Sequence, residues 1–137
     1  MIEGNPARAL ARHGLRATRQ RVAVFRMLTE QRGHPTALEL HRRLVRQQPH
    51  LSQKTVYEIL DALVDAGVAT RIAEGGGPAR YEVPHERHDH ARCRVCGRLF
   101  DVPARPLRSR AGVPSGFRVE QIRVTIEGRC AGCAERA

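Results

Sequence analysis

The chain of 137 residues contains no tryptophan, a single lysine (Lys54) and only 4% aromatic residues. Any core it builds is therefore aliphatic and thin, and a small thin core needs a staple. Long apolar runs are missing too. None approaches the ~20 residues needed to span a bilayer, which excludes a transmembrane helix. The opening MIEGNPARALARHG has no signal-peptide core, so a non-exported, cytoplasmic chain is expected. Acid is scarce: 14 Asp and Glu face 24 Lys and Arg, a formal net charge of +10. What remains is a globular balance, 41% hydrophobic and 28% charged, which excludes a disordered chain.

The positive excess is not evenly spread. Residues 1–26 carry Arg8, Arg12, Arg16, Arg19, Arg21 and Arg26 against one acid, Glu3. Residues 27–84 are balanced, seven against seven, and residues 85–137 hold eleven Arg against six acids. A basic excess concentrates phosphate and releases counterions on binding, so a nucleic acid is the expected partner. A merely solvated basic surface is the plainer alternative.

Four cysteines in a non-exported chain argue against disulfides. They fall as Cys93-Arg-Val-Cys96 and Cys130-Ala-Gly-Cys133. Each C-x-x-C turn lets two thiolates face one centre, and two such turns complete a tetrahedron, as structural zinc requires. A redox dithiol would need only one pair.

The first half reads as helices followed by a hairpin. Residues 6–13 form a short helix stopped at Gly14, and Thr18 caps a second with Val22, Phe25 and Leu28 inside. Thr36-Ala-Leu-Glu39 has the capping-box pattern and opens a helix burying Leu40 and Leu44. Ser52 caps a third, in which Val56, Ile59, Leu60, Leu63 and Val64 make one apolar stripe ending at Gly67. Two β-prone runs, 68–72 and 79–83, follow around a Gly-rich tip. Capped helix–turn–helix and hairpin together predict a winged helix, with the Ser52 helix placed to enter the major groove. Its outward face carries Gln53, Lys54, Tyr57, Glu58 and Asp61, with Thr55 beside them. Tyr57 on that polar face suits a thymine methyl or a phosphate, unless it tucks against a neighbouring helix.

After Pro84 the run His85-Glu-Arg-His88-Asp-His90 leads directly to Cys93. In an extended strand His88 and His90 share a face and can bind one metal, whereas His85 is spaced differently. Residues 99–102 and 117–126 read as strands. The segment 103–116 between them holds three prolines and two glycines, leaving room for at most one short helix.

Along nearly its whole length, from about Leu10 to Cys133, the chain resembles the Fur (ferric uptake regulator) family. The matching segments are GLRATRQR, GHPTALELHRRL, TVYEILDALVDAGV, ARYE, HDH followed by C-x-x-C-G, and the final C-x-x-C. The resemblance implies an α+β chain, with a winged-helix DNA-binding domain over residues 1–84. A small, mainly antiparallel dimerisation domain with a structural zinc at Cys93, Cys96, Cys130 and Cys133 follows over residues 85–137. It implies a homodimeric repressor of double-stranded operator DNA, not an enzyme, with no membrane and no small-molecule substrate.

The family's sensory site maps onto His34, Glu82, His88 and His90, and some members add an acid at the position of Asp101. A further family metal site needs a histidine where Arg87 stands and another near Ile122, and is expected to be absent. DNA contacts map onto Arg16 in the minor groove and Tyr57 in the major groove, and Arg19, Gln53, Lys54 and Thr55 join them as candidates. Glu58 departs from the arginine many members carry, so the operator is expected to differ.

Three imidazoles with one or two carboxylates, and no thiolate, suit iron(II), manganese(II) or zinc(II). The V-Y-acid and A-R-Y-E segments resemble the branch controlling catalase-peroxidase genes. Peroxide sensors of the family usually carry Asp where this chain has Glu82, which favours Fe(II) sensing, with oxidant sensing the close alternative. A zinc hydrolase on the same residues is disfavoured, since no separate general base is evident and the winged helix would be unexplained. A purely architectural DNA-binder would leave these histidines idle. His13, His41 and His50 are expected to be surface residues.

Overall fold

The computed structural model describes residues 4–30, 33–73, 76–84, 88–104, 112–120 and 122–135. The expectations resting on His85 and Arg87, the start of the hairpin tip and most of the 103–116 segment lie outside these residues. The chain divides into two compact units, Met1–His85 and Glu86–Ala137.

The first unit contains α1 (Pro6–Arg12), α2 (Arg19–Glu30), α3 (Ala37–Leu44), α4 (Gln53–Asp65) and the strands β1 (Thr70–Ile72) and β2 (Arg80–Glu82). Each helix starts where a side chain satisfies an orphan amide. Asn5 accepts from Ala7 N, Thr18 Oγ1 from Arg21 N, and Ser52 from Thr55 N. At α3 the capping box is complete: Thr36 Oγ1 accepts from Glu39 N at 3.1 Å, and Glu39 Oε2 accepts from Thr36 N at 3.2 Å. Gly67, at φ +76°, closes α4 in the left-handed conformation that glycine adopts without strain. The helices wrap one aliphatic core, with Val24, Leu40, Val56, Leu60 and Leu63 fully buried. Val22 and Val64, expected inside, are only partly buried at its margin, and Val24 takes the inner place on α2.

Strands β1 and β2 pair antiparallel, with Arg71 opposite Tyr81. A further bridge joins Arg80 to Thr36, and Tyr81 N donates to Pro35 O at 2.9 Å. The hairpin is thereby fastened to the turn that leads into α3.

The second unit is a three-stranded sheet in the order β4-β3-β5, with β3 (His88–Cys93), β4 (Leu99–Pro103) and β5 (Thr125–Gly128), and a one-turn helix α5 (Ala131–Ala134). Strand β4 runs antiparallel to β3 and β5 parallel to it, so the sheet is mixed. The strand expected over 117–126 starts only at Thr125. In the observed register His90 faces Thr125, so residues before Arg123 would run past His88, the first residue of β3. They meet no described strand. Among the described residues of this unit the one buried apolar side chain is Cys93.

Candidate metal centres and nucleic-acid interface

The four cysteines come together through the sheet register. Cys93 ends β3 opposite Gly128 of β5, two residues before Cys130, and Cys96 follows in the turn to β4. Their four sulfurs lie within 4.8 Å of one another, and Cys96 Sγ is 3.8 Å from Cys130 Sγ. A tetrahedron with Zn–S bonds of 2.3 Å has edges of about 3.8 Å, so the donor set fits zinc.

The Cys130 amide donates to Cys93 Sγ at 3.4 Å. That bond, with the Cys96 amide, draws the Cys93 thiol down to about 5. A side-chain hydrogen bond to Cys130, then burial, pushes Cys133 up to about 12. A dication favours the thiolate at all four.

Two sets of nitrogen and oxygen donors stand on the two units. In the first, His34 lies in the turn before α3 and Glu82 on β2. His34 Nε2 is 3.0 Å from Glu82 Oε2, with both side chains at most 10% exposed. In the second, His88 and His90 project from the same face of β3, as period-two alternation requires. Their Nε2 atoms are 3.1 Å apart, and their rings meet edge to face. Asp101 sits opposite His90 on β4, with its Oδ1 3.4 Å from His88 Nε2 and 3.7 Å from His90 Nε2. Ligands about 2.1 Å from one ion are about 3.0 Å apart at right angles and about 3.4 Å apart in a tetrahedron. The His34–Glu82, His88–His90 and His88–Asp101 separations, 3.0–3.4 Å, therefore fit shared ligation of a divalent first-row ion, and His90–Asp101 at 3.7 Å is slightly wider.

On the nucleic-acid side, Tyr57 projects from α4 and is 48% exposed, too open to be a packed core residue. Gln53 and Lys54 are exposed on the same helix, and Lys54 pairs loosely with Glu58 at 3.9 Å. Thr55 is less available: its hydroxyl is 2.9 Å from Ser52 Oγ in the cap of α4. Arg16 and Arg19 are exposed around the start of α2, and the Arg16 carbonyl accepts from Arg21.

Two residues escaped sequence reasoning. His41, expected as a surface residue, is part-buried, with Nε2 2.8 Å from Leu51 O, so it joins α3 to the turn preceding α4. Its position three residues before the end of an amphipathic helix was the available signal. Arg80 donates through NH1 to His34 O at 2.8 Å, a long-range bond that sequence pattern does not show.

A helix–turn–helix with a hairpin, a cluster of four cysteine sulfurs and donors suited to a divalent ion define a metal-responsive, DNA-binding transcription regulator. The chain belongs to the ferric uptake regulator family, whose model matches residues 12–127. Members of this family are DNA-binding regulators that form dimers, and they are not enzymes.

Among relatives, the peroxide operon regulator of Bacillus subtilis is 30% identical over 126 residues, covering 90% of this chain and 87% of that protein. The peroxide-responsive repressor PerR of Staphylococcus epidermidis is 31% identical over 130 residues, covering 93% and 87%. Among solved structures, a zinc-bound manganese uptake regulator matches with a TM-score of 0.74 at 30% identity, covering 93% of this chain and 99% of that one. No helix among the described residues is long and apolar enough to cross a membrane.

Proposed function

We propose that the chain is a cytoplasmic, homodimeric repressor whose grip on operator DNA depends on a regulatory divalent ion, Fe(II) in the cell. In this reading Cys93, Cys96, Cys130 and Cys133 hold a structural zinc. The regulatory ion draws ligands from both units: His34 and Glu82 from the first, His88, His90 and Asp101 from the second. Ligation from two units makes affinity depend on one arrangement of the chain, so occupancy selects that arrangement. In a dimer, that arrangement sets the separation of two α4 helices against half-sites about one helical turn apart. Arg16 and Arg19 would contact backbone or minor groove, and Gln53, Lys54, Thr55 and Tyr57 the major groove.

The observation that carries this reading is the His88–His90–Asp101 set, three donors on neighbouring strands at 3.1–3.7 Å. Nitrogen and oxygen donors without thiolate suit Fe(II), Mn(II) and Zn(II), and availability in the cell decides among them. Four cysteines held as zinc ligands rather than disulfides accord with a cytoplasmic location.

A second reading is favoured by the names of the relatives, which are peroxide regulators. An oxidant would then be the signal, and the imidazoles of His34, His88 and His90 the groups open to oxidation. Anaerobic gel shifts separate the two. EDTA-treated protein that keeps its zinc is titrated with Fe(II), Mn(II) or Zn(II) on operator DNA, then pulsed with peroxide. Metal-dependent binding that survives the pulse supports metal sensing, and loss in the Fe(II) sample alone supports oxidant sensing. Binding indifferent to metal contradicts both.

A further inference from the structure

We infer that Arg80 is a positioning residue that sets where His34 stands and ties it to the helix–turn–helix. This rests on the reading above that His34 and Glu82 are metal ligands. Arg80 and Glu82 are two residues apart on β2, so their side chains leave the strand on the same face. Both reach the same residue. Arg80 NH1 donates to the His34 carbonyl at 2.8 Å, and Glu82 Oε2 lies 3.0 Å from His34 Nε2. One strand therefore grips the backbone and the ring of a single histidine.

The guanidinium has a second attachment. NH1 lies 3.8 Å from Glu39 Oε1, and the other oxygen of that carboxylate closes the capping box of α3. Backbone pairing supports the same junction, through the Thr36–Arg80 bridge and the bond from Tyr81 N to Pro35 O. The path runs from a ligand carbonyl through one guanidinium to the first turn of α3. The Arg80 side chain is 16% exposed, so little water competes for these contacts. A planar fork can serve two acceptors at fixed angles, which a lysine ammonium on its flexible stem does less well.

The test uses the full-length protein with its zinc in place, and Mn(II) or Co(II) alone as the probe. Groups that orient ligands cost about 10–100-fold in metal affinity when lost. Arg80→Met keeps the apolar stem and should weaken Mn(II) by about that factor while shifting the visible absorption bands of bound Co(II). Arg80→Lys should recover part of the affinity, because the ammonium can still reach the His34 carbonyl. Glu39→Gln preserves the cap through its amide oxygen and should weaken Mn(II) by about two- to fivefold, the effect of a half-exposed ion pair. It gives the answer should Arg80→Met not fold.

Wild-type Mn(II) affinity and Co(II) spectrum in Arg80→Met overturn the inference. So does a Glu39→Gln protein indistinguishable from wild type, if Arg80→Met is unfolded. His34→Ala is the control for the underlying reading. If His34→Ala retains full Mn(II) affinity, the ligand assignment fails, and the role of Arg80 with it. If it loses affinity while Arg80→Met does not, only the positioning role fails.

Discussion

Replacing Cys130 and Cys133 together by serine should unfold the second unit and leave the first intact. Two thiolates remain and no tetrahedron can form. The unit has little else to hold it: strands of six, five and four residues, a one-turn helix, and among its described residues no buried apolar side chain except Cys93 itself. A structural zinc contributes on the order of 10–16 kcal/mol, as much as the whole stability of an ordinary domain, about 5–15 kcal/mol. With no aliphatic core among its described residues to offset that loss, the expected outcome is collapse of the sheet rather than a lower melting point. The first unit keeps its core, fifteen buried residues among those described, from Leu10 to Tyr81. Hydrogen exchange read by mass spectrometry distinguishes the units. Amides of β3, β4 and β5 should exchange like an unfolded chain, while those of α2 and α4 keep wild-type protection. Persisting protection in β3 and β4 of the double variant would refute the argument that zinc, not packing, holds this unit.

Other outcomes follow from single side chains. Tyr57→Phe removes one exposed hydroxyl and should weaken operator binding by about 3–10-fold, a neutral hydrogen bond's worth, with random DNA unaffected; equal loss on both would indicate packing. Thr36→Ala removes the acceptor for Glu39 N and should cost about 1–2 kcal/mol in denaturant melts, and no loss would discount the capping box. Burial, foremost, raises the Tyr81 pKa above its ordinary value of 10.0. The folded state thus favours the neutral phenol, a contribution complete below about pH 10 and lost as pH climbs through the raised value. Tyr81→Phe should flatten the alkaline fall in stability, and an unchanged slope would contradict the assignment.

The features legible in sequence were those set by local rules. Thr36 and Glu39 announced their helix because a capping box involves residues only three apart, and the Val56–Leu63 stripe announced its buried face. The C-x-x-C pairs announced the gathering of four sulfurs because ligand spacing is local even when the pairs are far apart. Residues 117–126 misled because β-branched alternation expresses preference for a pleated surface, not the presence of a partner strand. Among the described residues, the register with β3 spans Thr125–Gly128. His41 looked idle because its acceptor, the Leu51 carbonyl, is a backbone group ten residues away that no side-chain pattern marks. Arg80 was hidden for the same reason, since its acceptor His34 O lies 46 residues away. The resemblance supplied His34 and Glu82 as a pair, and their 3.0 Å separation accords with that pairing.

The central claim is that one ion is shared by ligands of the two units. A double-mutant cycle on Mn(II)-dependent operator binding, with Glu82→Ala, His90→Ala and the double variant, tests it most directly. With a shared ion, each single change should remove most of the metal response and the double should be scarcely worse than either. Losses that simply add, or a full metal response in either single variant, would contradict it.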